Sequence, residues 1–235
     1  MMSEKDSMVS REVTVATRGV RLAGFLTNPE DARGLVLFAH GSGSSRFSSR
    51  NRFVAEVLNE AGLATLLFDL LTADEHQIDE QTRHLRFDIG LLTARLRGAV
   101  DWIHDRTETA DLPIGLFGAS TGAAAALCVA AERPDLVEAV VSRGGRPDLA
   151  ADLLPQVMAP TLLIVGGSDL TVLELNRRAA QMLRAVSRVE IVPGATHLFE
   201  EPGALEHASA LARDWFLTHL QPDRSSEELR RRHPK

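Results

Sequence analysis

Three residues of this chain have the types and settings for acyl transfer. Ser120 lies in Gly118-Ala119-Ser120-Thr121-Gly122, Asp169 follows Gly166-Gly167-Ser168, and His197 follows Pro193-Gly194-Ala195-Thr196. A serine hydroxyl is a weak nucleophile at neutral pH, so it needs a base, and the base needs a third group to orient it. The chain order Ser120, Asp169, His197 is the one expected when the serine sits on a sharp strand-to-helix turn in an α/β sheet. G-x-S-x-G alone also fits a tight packing turn, and Asp169 alone fits a helix N-cap. Asp148 is a rival acid, but it follows Pro147 and reads as the first turn of a short helix.

Each of these residues follows an apolar run that reads as a strand: Ile114 to Phe117, Thr161 to Val165, and Val189 to Val192. Further strands are expected in GLVLFAH ending at His40, from Leu63 to Phe68 and from Val137 to Ser142, with an opening hairpin in REVTVATRGVRLAGFL around Arg18-Gly19. Helical spacing appears in RNRFVAEVLNEAG, in DIGLLTARLRGAVDWIHD, and over residues 121–132, 149–154, 172–183 and 204–220. This alternation predicts a mostly parallel central sheet with an N-terminal antiparallel hairpin and helices on both faces. Ligands bind such sheets at the carboxyl ends of the strands, where all three residues fall. The 18 residues from Arg143 to Pro160 are too few for a sizeable cap domain.

A tetrahedral intermediate needs donors for its oxyanion. The N–H of Thr121 at the helix start is one, and the loop His40-Gly41-Ser42-Gly43-Ser44-Ser45 offers a second from Ser42. His40 ends a buried strand and is expected to hold that loop by hydrogen bonds. Arg143 and Arg146 follow another strand at the same edge. One of them is a candidate for binding a substrate carboxylate or phosphate, the alternative being an ion pair with an acid such as Asp148. Arg46, Arg50 and Asn51 either border the site or organise the loop.

With 235 residues, 44% apolar and 25% charged, the chain suits one α/β domain over 11–220 between disordered polar ends at 1–10 and 221–235. Arg230, Arg231 and Arg232 follow Glu227 and Glu228 and read as part of a solvated tail. A net charge of -6 with scattered arginines predicts no nucleic-acid partner. No apolar run approaches the roughly 20 residues needed to cross a bilayer. Lone Cys128 reads as a small core residue, and MMSEKDSMVS lacks the apolar stretch of a secretory signal, so a cytoplasmic protein is expected. No metal-ligand spacing or phosphate-cradling glycine loop appears, so no cofactor is expected.

The segments HGSGSSRFSSRNRFVAE, FDLLT, LRFDI, FGASTGAAAAL, VVSRGGRPDL, PTLLIVGGSDL and VPGATHLFEEPGALE resemble the dienelactone hydrolase group of α/β-hydrolases. They are most similar to bacterial hydrolase domains that occur alone or fused to a phosphoribosyltransferase domain. The resemblance spans nearly all of 11–220 and implies an α/β-hydrolase fold with Ser120, Asp169 and His197 as triad. Dienelactone hydrolase proper has a cysteine nucleophile. Here serine stands in its place, and the only cysteine lies inside the following helix. The expected function is a serine hydrolase for small esters or lactones, acting as a monomer or homodimer. An acyltransferase on the same triad and an idle binding module are the rival classes.

Overall fold

Runs with no polar residue form strands here because both of their faces are covered. The structure, a computed structural model, describes residues 10–17 and 19–221. The expected polar ends and Arg18 of the hairpin turn fall outside these residues, apart from Ser10, which already belongs to the first strand, and Gln221. The strands are β1 (Ser10–Thr17), β2 (Val20–Thr27), β3 (Leu35–Ala39), β4 (Ala64–Phe68), β5 (Ile114–Ala119), β6 (Val137–Arg143), β7 (Thr161–Gly166) and β8 (Ser187–Val192). They form one sheet in the order β1-β2-β4-β3-β5-β6-β7-β8. The β1–β2 hairpin joins β4 antiparallel, and every other pairing is parallel.

Successive residues of each strand feed opposite faces. Leu35, Leu37 and Leu116 pack under α3 (Ile89–His104) and α4 (Thr121–Glu132), while Val36, Phe38 and Phe117 pack under α1 (Ser49–Glu60) and α6 (Ala204–His219). α5 (Leu170–Met182) covers the α4 side near the β8 edge. Among the described residues no helix is long and apolar enough to cross a membrane.

Two elements depart from expectation. Residues 147–156 form a run of 3₁₀ turns with a break at Ala150, longer than the short helix expected over 149–154. Helix α2 (Ala73–Thr82) was not expected, because its sequence ADEHQIDEQT carries no apolar stripe. It is started by a capping box, with Thr72 and Glu75 each accepting from the other's backbone N–H. A 3₁₀ turn, Leu85–Phe87, then leads into α3. Among the described residues no cap domain interrupts the sheet.

Candidate active site

Ser120 connects β5 to α4 with φ 51° and ψ -121°, a conformation that L residues rarely adopt. Three backbone hydrogen bonds hold it there. Its N–H donates to Arg143 O at 3.2 Å, and its carbonyl accepts from the N–H groups of Ala123 and Arg146, both at 3.1 Å. The flanking glycines follow from space: a Cβ on Gly118 would lie 2.4 Å from Ala123 Cα, and one on Gly122 would lie 2.1 Å from Ala39 O. Thr121 opens α4, so its N–H has no partner within the helix.

Asp169 stands before α5, but its side chain does not cap the helix. Its Oδ2 instead meets His197 Nδ1 at 2.7 Å. An ionised carboxylate can only accept, so the ring proton sits on Nδ1 and Nε2 is left free as a base. The turn carrying Asp169 is tied to the loop carrying His197: Gly167 N–H donates to Val192 O at 2.8 Å and Ser168 N–H to Ala195 O at 2.9 Å. Gly144 completes this support. A Cβ there would lie 3.5 Å from His197 Nδ1 and 3.3 Å from its carbonyl, so the bare backbone lies against the histidine residue. Gly144 was not singled out in the sequence, although two adjacent glycines directly after a strand were a usable signal.

The Ser42 loop approaches from β3. Gly41 lies so close that its Cβ would sit 3.0 Å from Ser120 Cβ. His40 behind it is buried; its Nε2 accepts from Leu70 N–H at 3.1 Å, leaving Nδ1–H to donate to Gly41 O at 3.0 Å. Burial pulls its pKa down, so it stays neutral and holds the loop.

Ser42, Asn51, Ser120, Arg143, His197 and Leu198 line one cavity of about 240 Å³. Among the described residues no hydrogen bond joins Ser120 Oγ to His197, and such contacts are often long before substrate binds. Arg143 is 7% exposed and has no acidic partner among the described residues. Its Nη2 donates to Asn51 Oδ1 at 3.2 Å, its Nη1 is buried without a partner, and its guanidinium lies 5.6 Å from the Phe117 ring centroid. Burial first, then the Arg50 charge, pull its pKa down to about 10, which leaves it cationic at neutral pH. Arg146 takes the alternative given for it, an ion pair: Asp148 accepts from it through both oxygens at 2.7 and 2.8 Å, which occupies the rival acid as well. Arg46 is likewise ion-paired to Asp69, and it lines a neighbouring cavity of about 440 Å³ instead of this one.

The sheet order, the strained residue between β5 and α4, and the helices on both faces define an α/β hydrolase. The model of the dienelactone hydrolase family matches residues 22–219, and the chain belongs to that family. It is 59% identical to a dienelactone hydrolase from Anabaena variabilis of known crystal structure, covering 91% of this chain and 99% of that one with a TM-score of 0.90. It is also 59% identical, over 209 residues, to a putative phosphoribosyl transferase of Mycobacterium tuberculosis strain H37Rv, covering 89% of this chain. That match takes in 46% of the relative, so the chain spans about half the length of this curated relative. Est1E from Butyrivibrio proteoclasticus shares the fold at 17% identity, with a TM-score of 0.74 over 88% of this chain and 98% of that one.

Proposed function

We propose that this chain is a serine hydrolase that cleaves small carboxylic esters or lactones through an acyl-enzyme on Ser120. The observation that carries this reading is the strained Ser120 facing the same cavity as a His197 ring already held by Asp169. In this scheme Ser120 Oγ attacks the carbonyl carbon and its proton passes to His197 Nε2. The oxyanion takes hydrogen bonds from the N–H groups of Thr121 and Ser42. Collapse breaks the bond to the alkoxy oxygen, which leaves with the proton from His197, or stays tethered if the substrate is a lactone. Water then repeats the sequence to release the acid. Asp169 keeps the proton on Nδ1 and stabilises the imidazolium.

Exposure to a small fluorophosphonate, followed by intact-mass measurement, tests this directly. The wild type gains one adduct and Ser120→Ala gains none. A folded wild type that gains none would remove the hydrolase reading.

Arg143 is the substrate-binding group in this proposal, because a buried cation without a counter-ion favours a ligand that supplies a carboxylate or phosphate. Arg143→Met should lower kcat/KM on esters with an acidic acyl group by about 10- to 100-fold, the usual worth of a charge-assisted hydrogen bond. Neutral esters of the same length should change by less than about threefold on the same scale. Equal losses on both would leave Arg143 a purely structural role.

A further inference from the structure

Helix α2 carries no apolar stripe, yet it buries one residue, and that residue is a carboxylate. Asp79 is 1% exposed. Burying a carboxylate is costly unless it is paired and hydrogen-bonded, and here a single residue does both. Arg86, in the 3₁₀ turn after α2, donates its backbone N–H to Asp79 Oδ1 at 3.1 Å and Nε to Oδ2 at 2.5 Å, while its Nη2 reaches the Asp79 carbonyl at 3.1 Å. Burial alone would raise the Asp79 carboxyl; the Arg86 hydrogen bonds and charge outweigh it and hold it below the usual carboxylate range.

This arrangement fixes the guanidinium plane and leaves Nη1 outside the pair. Nη1 lies against the Ser42 loop, since a Cβ on Gly43 would be 3.1 Å from it and 3.9 Å from Cζ. Gly43 has φ +70° and no side chain, so its backbone can rest on the guanidinium edge. His40 grips the same loop through Gly41. His40, the loop, Asp79 and Arg86 line one narrow cavity of about 10 Å³, about the smallest space that admits one water. A shift of the loop toward α2 would therefore meet the Arg86 guanidinium.

We propose that the Asp79–Arg86 pair is a positioning device that holds the Gly41–Ser44 loop against the nucleophile, so that the Ser42 N–H points where the oxyanion forms. This rests on the serine-hydrolase reading above and assigns a task to α2, the element that lacks an apolar stripe.

An oxyanion donor acts in the transition state, so its misplacement lowers kcat and spares KM. With p-nitrophenyl acetate as substrate, Arg86→Ala should lose about 10- to 100-fold in kcat with KM within about threefold, below the 10²- to 10³-fold typical of deleting a donor outright. Added guanidinium chloride should recover part of that loss, and equal sodium chloride should not. Arg86→Lys should stay low, because an ammonium cannot make these planar contacts. Asp79→Asn, the variant less apt to unfold, should fall in kcat in the same way. All rates are compared below the unfolding midpoint of each variant. Unchanged kcat, a raised KM with kcat intact, or an Arg86→Ala enzyme indifferent to guanidinium would each overturn the proposal. Fluorophosphonate labelling of the wild type separates the two readings. A labelled wild type with undiminished variants removes only the positioning role, whereas an unlabelled wild type removes both.

Discussion

If the proposed triad holds, Asp169→Asn should lower kcat/KM on p-nitrophenyl acetate by about 10³- to 10⁴-fold while the protein stays folded, the scale of losing the orienting acid of a serine triad. The size of the loss comes from a proton in the wrong place. Asp169 Oδ2 accepts from His197 Nδ1 at 2.7 Å, which leaves the lone pair on Nε2 free for the proton that the proposed mechanism takes from Ser120. An asparagine can turn its amide NH₂ toward Nδ1, which favours the tautomer protonated at Nε2, and that form cannot accept a proton from Ser120. Folding is spared because Asp169 makes no capping hydrogen bond to α5. Asp148→Asn is the matched control, since its carboxylate faces Arg146 and not the histidine. It should change kcat/KM by less than about threefold, a difference too small for a lost catalytic interaction. A loss below tenfold at Asp169, or a comparable loss at Asp148, would move the acid role elsewhere.

How much of this was legible depended on whether a residue's task left a local pattern. The strands and α1, α3, α4 and α6 were read to within a few residues, because each buries a run or a stripe and the period shows in the sequence. Ser120, Asp169 and His197 were legible from the glycine-flanked serine, from their order in the chain and from the strand that each follows. α2 was missed because its stability comes from the Thr72–Glu75 capping box and a buried ion pair, neither of which is periodic. T-x-x-E at 72–75 was the available signal. The arginines show the limit most plainly. Arg143 and Arg146 have the same local surroundings in Ser142-Arg143-Gly144-Gly145-Arg146, yet one is buried without a counter-ion and the other is paired to Asp148. The difference lies in which way each side chain leaves the backbone, and in Asn51 and Phe117, which come from distant parts of the chain.

Gly122→Ala should unfold at a temperature about 6 to 12 °C below the wild type, corresponding to a destabilisation of about 3 kcal/mol. The sign runs against the usual rule, because Gly to Ala inside a helix normally gains about 1 kcal/mol. Here the added methyl meets backbone and not a movable side chain: its Cβ would lie 2.1 Å from Ala39 O and 2.6 Å from His40 O. Relief requires α4 to lift from β3 or the end of β3 to bend, and overpacking of a tight core commonly costs about 1 to 3 kcal/mol. Either movement also separates Ser120 from the Ser42 loop, since that loop begins where β3 ends. The folded fraction of Gly122→Ala should therefore lose hydrolytic rate as well, measured on p-nitrophenyl acetate well below its midpoint. Gly194→Ala is the contrasting case. It has open space around its Cβ and pays only for its positive φ of 74°, a cost of about 1 kcal/mol. If Gly122→Ala unfolds within 2 °C of the wild type, a shift of under about 1 kcal/mol at this size, then β3 and α4 are not locked together at this glycine. The strained serine would in that case be held only by its hydrogen bond to Arg143 O and those it accepts from the N–H groups of Ala123 and Arg146.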